Sequence, residues 1–159
     1  MRNKIKNLRH AIILLGINHL RRWVQLSLFS VNDGRGLNHP LLELAVVRGR
    51  MMETLIDRKG LQNEYAEAAF MTGILSLLDI LFEVPMTEIV ESLNLTDDVG
   101  NALLFRQGQL GMLLKLAEKV ETTDFDAVIS LLEQCDITMN QLLTAQMESF
   151  GWRSSVIAQ

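Results

Sequence analysis

Cysteine is almost absent: Cys135 stands alone in 159 residues. No intrachain disulfide can form, and no CxxC pair offers a zinc or redox site. Histidine is nearly as scarce. His10, His19 and His39 are the three, and none has a histidine partner four residues away, so each reads as a surface or half-buried helix residue. Proline occurs twice, and the composition of 48 % hydrophobic and 21 % charged residues lies in the globular range, outside the disordered one. Long apolar runs are missing too. The most apolar stretch, FMTGILSLLDILFEVP at residues 70–85, belongs to a charge-free run from Ala68 to Leu78; these eleven residues fall short of the roughly 20 that a spanning helix needs. No membrane contact is expected. With no signal-peptide pattern at the basic N-terminus, a reducing cytoplasm is the expected compartment.

Charge of one sign is lacking in each part of the chain. Residues 1–60 hold eleven Lys or Arg against four acids, net +7; the rest holds four against fifteen, net −11, which together give the overall −4. No run of five or six cations occurs, and the basic residues are spread through apolar helical patterns. The asymmetry is therefore read as two parts that face each other; a nucleic-acid-binding face is the weaker alternative.

Helical periodicity runs through almost every segment and strand alternation through almost none. At this length one domain is expected, able to bury about 70 % of its unfolded surface. The spacing predicts a first helix from Ile5 to Leu15, stopped by Gly16, and a second from Asn18 to Val31, followed by an NDGRG turn at residues 32–36. A third should open at Pro40 and run to Lys59, with its apolar stripe on Leu41, Leu44, Ala45, Met51, Met52 and Leu55. The fourth, from Asn63 to Pro85, is apolar nearly all round and reads as a central helix packed on several sides. Shorter helices follow, with starts marked by Thr96 before Asp97 and Asp98, by Thr123 with Asp126, and by Thr138 with Gln141. The expected architecture is all-α: one domain of eight or nine helices.

Few residues carry chemistry. Asp79 and Glu53 sit within apolar segments and need partners or solvent, because a lone buried carboxylate is costly. Arg48 and Arg50 are the available cations, and a structural ion pair is the expected outcome rather than an acid/base dyad. Arg21, Arg22 and Trp23 form a candidate interaction surface, where an indole flanked by guanidinium groups could stack on a partner; as a core tryptophan with solvated arginines the same triplet is ordinary.

Several segments together resemble a known family. AIILLGINHLRRWVQL, LLELAVVRGRMMETL, AAFMTGILSLLDILFEVPMTEIVESLNLTDDVGNALL and GQLGMLLKLAEKVE are similar, in this order, to the HDOD domain. That domain is an all-helical relative of the HD phosphohydrolases, and the form resembled is the one found C-terminal to an EAL domain in bacterial cyclic di-GMP signalling proteins. The resemblance implies an HD-domain-like fold and a non-catalytic signalling module without a cofactor, whose partner is another protein or a separate EAL-type domain. In catalytic HD relatives the helix matching residues 73–79 carries an adjacent His-Asp pair that binds metal; Ser76 and Leu77 stand in those places here. Leucine cannot ligate a metal and a lone serine is a poor ligand, so no metal or catalytic residue is expected, and a residual metal-dependent phosphohydrolase is the competing reading. Asp79 matches the family's own aspartate and is expected to form paired hydrogen bonds. The family domain also has helices ahead of the first matching segment. The chain is accordingly expected to lack its first helices and any EAL domain, leaving an apolar patch near Ile12, Ile13 and Leu20 that would favour self-association.

Overall fold

The computed structural model describes residues 40–58 and 63–157. Every regular element among them is a helix, in the order α1 (Pro40–Arg58), α2 (Asn63–Leu75), α3 (Leu78–Phe82), α4 (Met86–Leu93), α5 (Asp97–Phe105), α6 (Gly108–Glu121), α7 (Phe125–Cys135) and α8 (Met139–Ile157). The all-α class expected from periodicity is the class observed. Among the described residues no helix is long and apolar enough to cross a membrane. The two helices expected before residue 32, the NDGRG turn, the three histidines, the patch at Ile12, Ile13 and Leu20, and the triplet Arg21, Arg22 and Trp23 lie outside the described residues.

Proline opens α1 as expected, but the helix is not merely striped. Residues 51–56 are buried without a gap, and Ala45, Val46, Arg48 and Gly49 are buried as well. α1 thus shares the centre of the molecule with α2, and also packs along α8. What brings α1 and α2 so close is a pair of glycines. A Cβ on Gly73 would lie 2.5 Å from the Gly49 Cα and 2.6 Å from its nitrogen, so the two backbones touch with no side chain between them. Trp152 fastens α8 to this pair: its ring stands edge-on to Phe70 of α2 at 6.2 Å, and the Arg50 guanidinium of α1 lies 5.9 Å from the indole centroid.

One expected element is two. The helix beginning at Asn63 does not continue to Pro85; it stops at Leu75, turns through Ser76 and Leu77, and restarts as the five-residue α3. The Ser76 amide still reaches the Thr72 carbonyl at 3.0 Å, but its hydroxyl donates to the Gly73 carbonyl at 2.6 Å and Leu77 relaxes to φ −114°, ψ 0°. A serine that bonds back to its own helix competes with the backbone ladder, which is how a continuous apolar pattern can carry a break.

The later helices end on left-handed residues that are not glycine: Glu83, Asn94, Arg106 and Asp136 close α3, α4, α5 and α7. Their starts follow the sequence unevenly. Thr96 is the N-cap of α5 in extended conformation, with Asp97 and Asp98 in the first turn, yet its side chain makes no capping bond. Thr138 and Gln141 form the full reciprocal box at α8, with the Gln141 amide donating to Thr138 Oγ1 at 3.2 Å and the Thr138 amide to Gln141 Oε1 at 2.8 Å. At α7 the expectation needs correcting. Thr123 takes a left-handed φ of 55° ahead of the helix, and Asp124 is the cap, accepting from the Ala127 amide at 3.3 Å.

Asp124 also receives a hydrogen bond from Lys119 Nζ at 2.9 Å, and this bond, followed by that from Ala127, holds its carboxyl below the ordinary aspartate value. A carboxylate whose folded pKa is depressed contributes stability that is present above its unfolded pKa and is lost as pH falls through the folded one. NMR titration of the Asp124 carboxyl should place its midpoint below that of a free aspartate. Lys119→Met should raise that midpoint and move the acid limb of stability at this cap to higher pH.

Candidate functional site

Two of the buried polar residues, Arg48 and Ser76, meet charged side chains where α1, the α2–α3 turn, α5 and α6 come together. Arg48, 5 % exposed, points from the middle of α1 to the turn. Its Nη1 donates to Ser76 Oγ at 2.7 Å, its Nε to Glu121 Oε1 at 2.8 Å and its Nη2 to Glu121 Oε2 at 2.5 Å. This is the two-pronged match of guanidinium to carboxylate that only arginine makes. Glu121 is the last residue of α6 and open to solvent as a residue, but its side chain is only 21 % exposed. One turn earlier, Glu118 comes within 4.0 Å of Arg48 and takes two hydrogen bonds from Arg106, the left-handed residue that closes α5: Nη2 to Oε1 at 2.6 Å and Nε to Oε2 at 3.1 Å. Arg106 Nη1 turns back to the Leu103 carbonyl of its own helix. Two arginines and two glutamates therefore cancel in charge while tying four elements together.

Ser76 is engaged on both sides, accepting from Arg48 and donating to Gly73. Leu77 is buried with no polar atom to offer. A guanidinium has donors only and cannot ligate a cation, so the chemistry at this junction is that of a filled hydrogen-bond network. Among the described residues no group of three or more His, Cys, Asp or Glu could hold a metal ion.

The remaining polar residues named from the sequence fall elsewhere. Arg50 pairs with Glu53 on the same helix at 2.7 Å, the latter 6 % exposed at its side chain. Asp79 is not brought to either arginine. The break at Ser76 sets it in the first turn of α3, where negative charge is favoured by the helix dipole, and its Oδ1 is shut off from solvent without a hydrogen bond. The paired hydrogen bonds expected of Asp79 are not formed at that oxygen, and Arg48 is bonded to Ser76 and Glu121.

Glu118, Glu121 and Arg106 were not singled out by sequence reasoning, although composition held a signal. Arg106, Lys119 and Arg153 are three of only four cations after residue 60, and each is in an ion pair. The expectation that the basic and acidic parts face each other has its clearest instance in Arg48 and Glu121, 73 residues apart.

The chain is 30 % identical over 151 residues to YuxH of Bacillus subtilis, a protein described as uncharacterized, and 28 % identical over 152 residues to the cyclic di-GMP phosphodiesterase CdgJ of Vibrio cholerae. It is a distant homologue of both. The matches take in 94 % and 96 % of this chain but 36 % and 35 % of the relatives, so the chain spans about a third of their length. No protein-family model matches it, and neither does any solved structure.

Proposed function

We infer that the chain is a non-catalytic module of cyclic di-GMP-related signalling, of the HDOD type, that acts through contacts with another protein or a separate EAL-type domain. The link to cyclic di-GMP is supported by the similarity to a phosphodiesterase of that nucleotide, and the HDOD assignment by the segments that resemble that family. One observation carries the non-catalytic part. At the positions where the catalytic relatives of that family bind metal, this chain has a serine hydroxyl hydrogen-bonded to a buried guanidinium and a leucine side chain. A fixed positive charge at 2.7 Å from the hydroxyl repels a divalent cation and occupies the space it would need.

The test is hydrolysis and metal content measured together. Purified chain incubated with cyclic di-GMP or a nucleoside phosphate and manganese should show no turnover, and elemental analysis of chain purified without added metal should show no stoichiometric transition metal. Turnover that disappears in Asp79→Asn, with metal bound in a fixed ratio, would establish the phosphohydrolase reading instead.

A further inference from the structure

Helix α8 is apolar on two sides. Leu142, Ala145 and Ser149 are buried against the fold, whereas Met139, Leu143, Met147 and Phe150 follow one another at four, four and three residues along a separate narrow stripe and are 44, 50, 75 and 50 % exposed. Phe125 and Ile129, one turn apart on α7, are 70 % and 52 % exposed. The stripe joins two depressions. Ile129 and Met139 line a groove of about 280 Å³ with Leu132 and Ile137, and Phe150 lines a cleft of about 320 Å³ against Leu44, Val47 and Met51 of α1. A run of large exposed apolar side chains connecting two hollows is more than the scattered surface hydrophobics of an ordinary domain.

The cleft carries Arg153, paired with Glu43, beside Glu121, whereas the charged residues that line the α7 groove are acidic alone. From Val120 to Gly151 the chain holds Glu121, Asp124, Asp126, Glu133, Asp136 and Glu148 and no Lys or Arg. Asp126, Glu133 and Asp136 are exposed, and the latter two line the groove beside Ile129. That rim selects the occupant. A second copy docking face to face would set these carboxylates against their own counterparts, and an anionic lipid surface would meet the same repulsion. A helix with Leu-like residues on one side and Lys or Arg along its flanks satisfies both the stripe and the rim, with methionines adapting to its shape.

We propose that the α8 stripe and the adjoining α7 groove are the docking face for a cationic amphipathic helix of a partner protein. This rests on the reading of the chain as an interaction module and names the chemistry of the partner. The probe is a labelled synthetic helix of Leu and Lys with its leucines on one face, titrated by fluorescence anisotropy into the full chain, beside a Leu/Glu helix of the same pattern.

The Leu/Lys helix should bind and weaken with added salt, and the Leu/Glu helix should not bind. Leu143→Glu with Met147→Glu should cost about tenfold or more in affinity. Both side chains are at least half exposed, so circular dichroism should show the fold unchanged. Glu133→Lys with Asp136→Lys, which spares the stripe, should weaken binding at low salt. The proposal is overturned by equal binding of the two peptides, by variants that bind like the parent chain, or by no binding at all. A dimer abolished by the Leu143 and Met147 changes would also overturn it, assigning the face to a second copy. Failure here without metal-dependent hydrolysis leaves the non-catalytic reading standing, whereas hydrolysis defeats that reading whatever the peptides do.

Discussion

Replacing Arg48 by methionine is expected to destabilise the chain by about 3 kcal/mol and lower its unfolding midpoint by roughly 10 °C. Methionine keeps much of the aliphatic volume of the stem, so the loss falls on the charged head. Three hydrogen bonds disappear with it, those to Ser76 and to both oxygens of Glu121. The carboxylate left behind, with its side chain 21 % exposed, keeps no bidentate partner, and the buried Ser76 hydroxyl loses its donor, so the penalty is shared between the two. Arg48→Lys should fall between the two, because an ammonium cannot bond the serine and both carboxylate oxygens in one plane. In a double-mutant cycle, Glu121→Gln should cost little once Arg48 is gone, giving a coupling that thermal and urea unfolding can measure. A midpoint within about 2 °C of the parent for Arg48→Met would mean that the junction is not held by this residue.

Gly73→Ala should be nearly as damaging for a different reason. The added methyl would sit 2.5 Å from Gly49 Cα, 2.6 Å from its nitrogen and 2.9 Å from the Arg48 carbonyl carbon, all of them backbone atoms that no rotamer change can clear. Apolar contacts settle near 3.5–4.0 Å, so α1 and α2 must part by on the order of 1 Å, at a cost of about 3 kcal/mol for overpacking a closed interior. The displacement also stretches the Arg48 to Ser76 bond, since Ser76 lies on the same chain three residues on. Gly151→Ala is the control. Nothing lies within 4 Å of its added methyl and the residue is exposed inside α8, so it should stabilise by about 0.5–1 kcal/mol through helix propensity. Urea unfolding of the two variants should therefore move in opposite directions from the parent.

These two positions show where local reading of the sequence stops. Pro40 and the Thr138 to Gln141 box were readable because a helix start is specified by residues within one turn of each other. The central placement of residues 70–75 was readable because apolar side chains lie on every face. The break at Ser76 was not: periodicity carries through it, and the hydroxyl that bonds back to Gly73 also accepts from a guanidinium 28 residues earlier. Glu121 was hidden in the same way, as one acid among fifteen in its part of the chain, with its partner 73 residues away. The burial of α1 was understated because Arg48, Glu53 and Thr54 interrupt its apolar pattern, and only their partners make them compatible with the interior. Thr123 illustrates a smaller failure, in which two adjacent residues can each cap and the left-handed turn before α7 decides for Asp124.

The engagement of Ser76 by Arg48 bears on how such a chain could change over generations. Introducing histidine and aspartate at positions 76 and 77 would not by itself make a metal centre, because the imidazole would arrive against a buried guanidinium already bonded to Glu121. Arg48 would have to go first, and its removal alone lowers stability by the amount given above. Any route to a cation site at this turn therefore passes through a destabilised chain, so Arg48 guards the position by its charge as well as by its hydrogen bonds.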